Sequence, residues 1–101
     1  MEYAAVLTEG GKYAEARVVL EALMRAGVYG AALRLGNLLD DILGDTDAAV
    51  DAYAEGVQSG DAHAAYNLGA LFYRDADYVE SERYFELARE MGDTTEHPDF
   101  G

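Results

Sequence analysis

Few side chains in this chain have types and spacings suited to chemistry. His63 and His97 are the only histidines, one near the start of a helical pattern and one in an aperiodic tail, with no histidine pair at metal-binding spacing. Asp40, Asp41, Asp45 and Asp47 form an acidic cluster. It lacks the alternating loop ligands and closing glutamate of an EF-hand, so helix capping and solvation account for it better than calcium. The absence of cysteine removes disulfides, thiolate zinc sites and a cysteine nucleophile. No glycine-rich phosphate loop and no serine–histidine–acid set can be assembled. These residues predict neither an enzyme nor a cofactor or metal site, and the polar and aromatic residues become informative only through the elements that carry them.

Those elements are helices. Residues 62–74 and 77–91 read as two amphipathic helices joined by a turn at Asp75-Ala76. Gly27, Gly60 and Gly92 recur at intervals of 33 and 32 residues, a period that marks helical repeats. Upstream, Tyr13–Ala26 places Tyr13, Ala16, Val19, Leu20 and Leu23 on one face. A helix from near Gly30 to Leu43 carries Ala32, Leu35, Leu38, Leu39 and Ile42 as a buried stripe, and Thr46–Gln58 presents Ala49, Val50, Tyr53 and Val57 inward. Met1–Glu9 is a short helix with Tyr3, Val6 and Leu7 at helical spacing. Asp45 or Thr46, Asp61 and Asp77 are candidate N-caps, and Asp77 with Glu80 resembles a capping box.

Half of the 101 residues are hydrophobic, enough for the core of one domain, and no apolar run reaches membrane-spanning length. Twenty Asp+Glu against seven Lys+Arg give a formal charge of −13. That field repels nucleic acid and anionic lipid and favours basic or neutral protein partners. A cytoplasmic, soluble protein is expected, since MEYAAVLTEGG lacks the features of a signal peptide.

Aligned on their periods, the second helices give columns Ala16, Ala49, Ser81 and Leu20, Tyr53, Phe85, followed by Leu23, Gly56, Ala88. Ala4, Gly36 and Gly69 form a column in the first helices. Small residues facing small ones across each pair, with the large residue filling the space beside them, would allow close crossing. At these positions the chain resembles the tetratricopeptide repeat, through Leu68-Gly69, Phe72, Tyr78, Ser81, Phe85 and Ala88 and again through Leu35-Gly36, Leu39, Ala49, Tyr53 and Gly56. The connections GDAHAAYNLG and GVYGAALRLG look more like the related Sel-one-like repeat. The resemblance implies an all-α, right-handed solenoid of helical hairpins with units of about 1–27, 28–59 and 60–93, the first incomplete, and an aperiodic tail over 94–101. One extra residue falls around Asp40–Leu43.

The resemblance also implies a non-catalytic protein-interaction module whose first helices line a concave groove. Carried over by position, the groove would hold His63, Tyr66, Asn67, Ala70, Tyr73 and Arg74 from the third unit. Gly30, Leu33, Arg34, Asn37, Asp40 and Asp41 come from the second, and Glu2, Ala5, Thr8 and Glu9 from the first. Asparagine can bond a peptide backbone as donor and acceptor, tyrosine adds flat apolar area and arginine can grip a carboxylate. A carboxylate clamp of the kind some relatives carry is disfavoured, because Leu33 occupies a lysine place beside Asn37 and Asn67. Two alternatives accompany this expectation. One is a self-assembling scaffold, joined through Val18, Val19 and the Leu20 neighbourhood; the weaker one is an acidic mimic of nucleic acid.

Overall fold

Six helices follow one another in the computed structural model, which describes residues 2–93, and no strand occurs among those residues. They are α1 (Glu2–Glu9), α2 (Tyr13–Arg25), α3 (Ala31–Asn37), α4 (Thr46–Gln58), α5 (Ala62–Arg74) and α6 (Tyr78–Glu90). A π-helical segment, Leu38–Ile42, extends α3 without a break. No described helix is long and apolar enough to cross a membrane. The aperiodic stretch 94–101, with His97, lies outside the described residues.

One closure ends most of these helices. In α5, Ala76 takes a left-handed φ of 62°. Its N–H donates to the Tyr73 carbonyl at 3.0 Å, and the Asp77 N–H donates to the Phe72 carbonyl at 2.9 Å, five residues back. This is a Schellman motif, which satisfies carbonyls that the helix end leaves bare. Gly11, Gly27, Gly60 and Gly92 close α1, α2, α4 and α6 in the same way. Ala76 alone carries a β-carbon at such a place, where the left-handed conformation costs an L-residue about 1–2 kcal/mol. Glycine is itself disfavoured by its freedom in the unfolded chain, so Ala76→Gly should raise stability by a net of about 0.5–1 kcal/mol. The expected readout is a higher urea midpoint at unchanged slope.

The extra residue of the sequence is absorbed by the π segment. There the Leu43 N–H donates to the Leu38 carbonyl, five residues back rather than four, and the Asp45 N–H reaches the Leu39 carbonyl at 2.8 Å. The closures at Gly11, Gly44 and Ala76 accordingly stand 33 and then 32 residues apart, the longer interval being the one that contains Leu38–Ile42. A residue added to a turn rotates the side chains beyond it. Ile42, expected on the buried stripe, is 44% exposed, whereas Ala32, Leu35, Leu38 and Leu39 are buried as expected.

Helix starts obey the capping expectation. Asp45 accepts from the Ala48 N–H at 3.1 Å, and the buried Asp61 accepts from both the His63 and Ala64 N–H groups. Asp77 accepts from the Glu80 N–H at 3.4 Å, but the Glu80 carboxylate pairs with Arg83. The Asp77 N–H is already engaged by the Schellman closure, so among the described residues only one half of the capping box is made.

Each helix packs against the next in sequence, and α3 also meets α5. The core joins Ala4, Leu7, Ala16, Leu20, Leu35, Leu38, Leu39, Ala49, Tyr53, Leu68 and Leu71. The expected pairing of small residues needs correction. A β-carbon on Gly36 would meet the ring of Tyr53, at 2.5 Å from Cδ1, and one on Gly69 would meet the ring of Phe85, at 3.0 Å from Cδ1. Each glycine therefore faces the large residue of the partner helix, whose ring lies against bare backbone. Small side chains do meet between α4 and α5, where a β-carbon on Gly56 would stand 2.7 Å from that of Ala64.

Ser81 shares a column with the fully buried Ala16 and Ala49 and is itself 1% exposed, and its hydroxyl finds no hydrogen-bond partner among the described residues. An unmet buried hydroxyl costs about 1–3 kcal/mol. Ser81→Ala should therefore stabilise the protein by about 1 kcal/mol, measurable in the same denaturant titration. A loss of stability would mean that the hydroxyl is satisfied.

At the amino-terminal end, Leu20 is sealed at 2% exposure, contrary to the expectation that its surroundings lack cover. Val18 is open as expected, at 67% exposure, and the apolar surface around it is continued by Tyr3 and Val6, which are 64% and 58% exposed. Tyr3 and Val6 match the helical period of α1, yet its buried residues are Ala4 and Leu7.

Candidate functional site

Asn37 is the hub of the polar residues. It ends the α-helical part of α3, and its Oδ1 accepts from Tyr53 Oη at 2.6 Å and from Asn67 Nδ2 at 3.0 Å. Three helices, α3, α4 and α5, meet on that one oxygen. Burial of Tyr53, and then the charges of Asp41 and Asp40, push its phenol pKa far upward, so the ring oxygen remains a donor. One turn further, the two Nη atoms of Arg74 reach the two carboxylate oxygens of Asp40 at 2.7 and 3.2 Å. The hydrogen bond to Asp40 raises the guanidinium pKa further, and the fork-to-fork geometry fixes the distance between α3 and α5.

These contacts arise from register. On α5, His63, Tyr66, Asn67, Tyr73 and Arg74 lie at steps compatible with one side of the helix. Tyr66 is half-buried with its ring tilted on Phe85, at 5.1 Å between centroids, and stacks with His63 at 6.2 Å. Tyr73 meets Tyr78 edge-on at 5.3 Å. His63 is exposed, with Nδ1 3.2 Å from an Asp93 carboxylate oxygen beyond the end of α6.

Arg34, Asn37 and Asp41 line a second space. Between α1 and α3 lies a cavity of about 250 Å³ whose walls include Ala4, Ala5, Thr8, Leu38 and Ile42, with Leu20 contributed from α2. Asn37 and Asp41 belong both to this cavity and to a second one beside Asn67 and Arg74. The surface is thus riveted by hydrogen bonds between α3 and α5 and open between α1 and α3.

A scan against protein-family models finds no match to the chain, and a comparison with curated proteins finds none either. The capabilities of the site rest on its own chemistry.

The structure ties Asn67 to Asn37 and Arg74 to Asp40, sets Arg34 and Asp41 along the open cavity, and places His63 and Tyr66 at the amino-terminal end of α5. Asp45 and Asp40, from the acidic cluster, are engaged as a cap and as the partner of Arg74. Among the described residues no three His, Cys, Asp or Glu side chains are placed to hold a metal ion. Two participants are hidden in the sequence. Tyr53 reads there as a packing residue, although its hydroxyl positions Asn37, and Ile42 reads as core, although it lines the cavity. The extra residue near Asp40 is the available signal for the second; nothing in the sequence signals the first.

Proposed function

We propose that this chain is a non-catalytic protein–protein interaction module, a tetratricopeptide-like or Sel-one-like stack of helical pairs that holds a peptide segment or partner helix along α1, α3 and α5. The observation that carries this reading is the line of positioned polar and aromatic side chains on α3 and α5, continuous with the cavity beside α1. Support for the stack comes from the repeated closures at 33 and 32 residues and the packing of each helix on the next. Preformed helices limit the ordering cost of association.

Asn67 and Arg74 have partners within the fold, so their removal would mix binding with stability. Arg34 and His63 are the cleaner probes: both are exposed, and the contacts of His63, to Asp93 and Tyr66, do not tie α5 to α3. Peptides selected from a displayed random library on the immobilised protein should lose about tenfold or more in affinity on Arg34→Ala/His63→Ala, a loss of at least about 1.4 kcal/mol. Glu86→Ala, an exposed change on α6, should leave them unaffected. Peptides indifferent to the groove variant would reject the proposal.

The exposed Tyr3, Val6 and Val18 favour a second reading, self-assembly through the amino-terminal end. Sedimentation across a hundredfold range of concentration tests it: a species that stays monomeric throughout removes it, and Val18→Glu should dissolve any dimer that forms.

A further inference from the structure

We propose that the cavity between α1 and α3 receives a lysine or arginine side chain of the bound segment, with the cationic end held beside Glu9 and Asp41. This inference rests on the groove reading and adds to it the chemistry of one ligand side chain. The cavity is small for a ligand pocket, at about 250 Å³, where drug-sized sites begin near 300 Å³; its capacity is that of a single long side chain. Its walls suit an aliphatic stem, since Ala4, Ala5, Leu20 and Leu38 contribute apolar surface.

The charge of the cavity has a direction. Glu9 is the last residue of α1, and Asp41 lies in the π segment that ends the α3 helix. Both carboxylates line the cavity, and among the described residues neither forms an ion pair. Each stands at a helix carboxyl terminus, where the backbone adds partial negative charge. Asp40, the neighbouring carboxylate, is already engaged by Arg74. The one cation on the wall, Arg34, lies seven residues before Asp41 and forms none of these ion pairs. At the α-helical rise, that separation is about 10 Å. An extended side chain entering over Arg34 and ending at Glu9 and Asp41 would place its apolar length on the alanines and its charge among the carboxylates. The net charge of −13 favours the approach of such a ligand.

The pocket owes its shape to the π segment. Ile42, 44% exposed and off the buried stripe, lines the cavity from the π segment, and Asp41 precedes it in the same widened turn.

The test uses capped pentapeptides, alanine throughout except for a central arginine, lysine, citrulline or glutamate, titrated into the ¹⁵N-labelled protein. The arginine and lysine peptides should move the amide signals of Ala5, Thr8, Leu38 and Ile42. The uncharged citrulline peptide should bind about fivefold to tenfold more weakly, as two partly exposed carboxylates allow, and the arginine peptide should weaken as salt is raised. In the isosteric Glu9→Gln/Asp41→Asn variant, checked for unchanged helicity, arginine and citrulline should become equal. Equal binding by the unaltered protein, tighter binding of glutamate, or a preference that survives in the variant would overturn the proposal. Shifts confined to Tyr66, Asn67 and their neighbours would overturn it while leaving the groove reading standing; no shift anywhere would remove both.

Discussion

Gly36→Ala should cost this protein about 2–3 kcal/mol, although alanine is the better helix former by about 1 kcal/mol. The added β-carbon would stand 2.5 Å from Cδ1 and 2.8 Å from Cζ of Tyr53. That ring has little freedom to retreat: it is 3% exposed, and its hydroxyl is bonded to Asn37. Either the ring moves and the hydrogen bond breaks, or α3 and α4 separate. In a domain of this size the loss should appear as a fall of about 10–20 °C in Tm. The sharper check is a change of sign. In a Tyr53→Ala background the obstacle is gone, and Gly36→Ala should then stabilise by its helix propensity. A destabilisation of the same size in both backgrounds would show that the ring is not the obstacle. Gly69→Ala, with Phe85 Cδ1 at 3.0 Å, should cost less than Gly36→Ala.

Asn37→Ala should lower stability by about 2–3 kcal/mol. A single oxygen accepts from Tyr53 and Asn67, so one truncation leaves two donors without their acceptor. Tyr53→Phe removes only one of the bonds and should cost about 1 kcal/mol. The two changes should not add, because the bond each removes is shared; a double-mutant cycle by urea titration reads the coupling directly. Strict additivity would exclude the bond as a contributor. The same phenol gives a pH signature. Its pKa is raised in the folded state from an ordinary 10.0 by burial, and then by Asp41 and Asp40. The unfolded chain therefore releases the proton first, and stability that is fully present below pH 10.0 declines as the pH rises above it. Tyr53→Phe should flatten that alkaline decline.

Most of the helical framework is legible without coordinates. Ala62–Arg74 and Thr46–Gln58 begin and end where period, caps and glycines place them, because those signals are local and act within a turn or two. Three features are not legible, each for its own reason. Ala76 occupies a left-handed position that alanine does not advertise, and it is recognised only because Gly11 and Gly44 stand in the same column. The π segment shows itself as one residue too many, which says that something must give without saying how. The facing of Gly36 by Tyr53, and the meeting of Tyr53 and Asn67 on Asn37, join residues 16, 17 and 30 apart. Helical period says which side of a helix is inward; it does not say which neighbour waits there. The candidate site shares this division, since the side of α5 that holds Asn67 and Arg74 can be read from spacing, but their ties to α3 cannot.

α1 is eight residues long and holds to the rest through α2, with Ala4 and Leu7 as its buried side chains. A helix below about 12 residues has little stability of its own, so its amides should exchange with solvent through openings that leave α4, α5 and α6 intact. Whatever spans the gap from α1 to α3 must bind the closed form, and each such molecule slows those openings by a factor set by its concentration over its Kd. The deuterium uptake of Ala5 to Glu9 would thus serve as a built-in gauge of occupancy, legible before the occupant itself is identified.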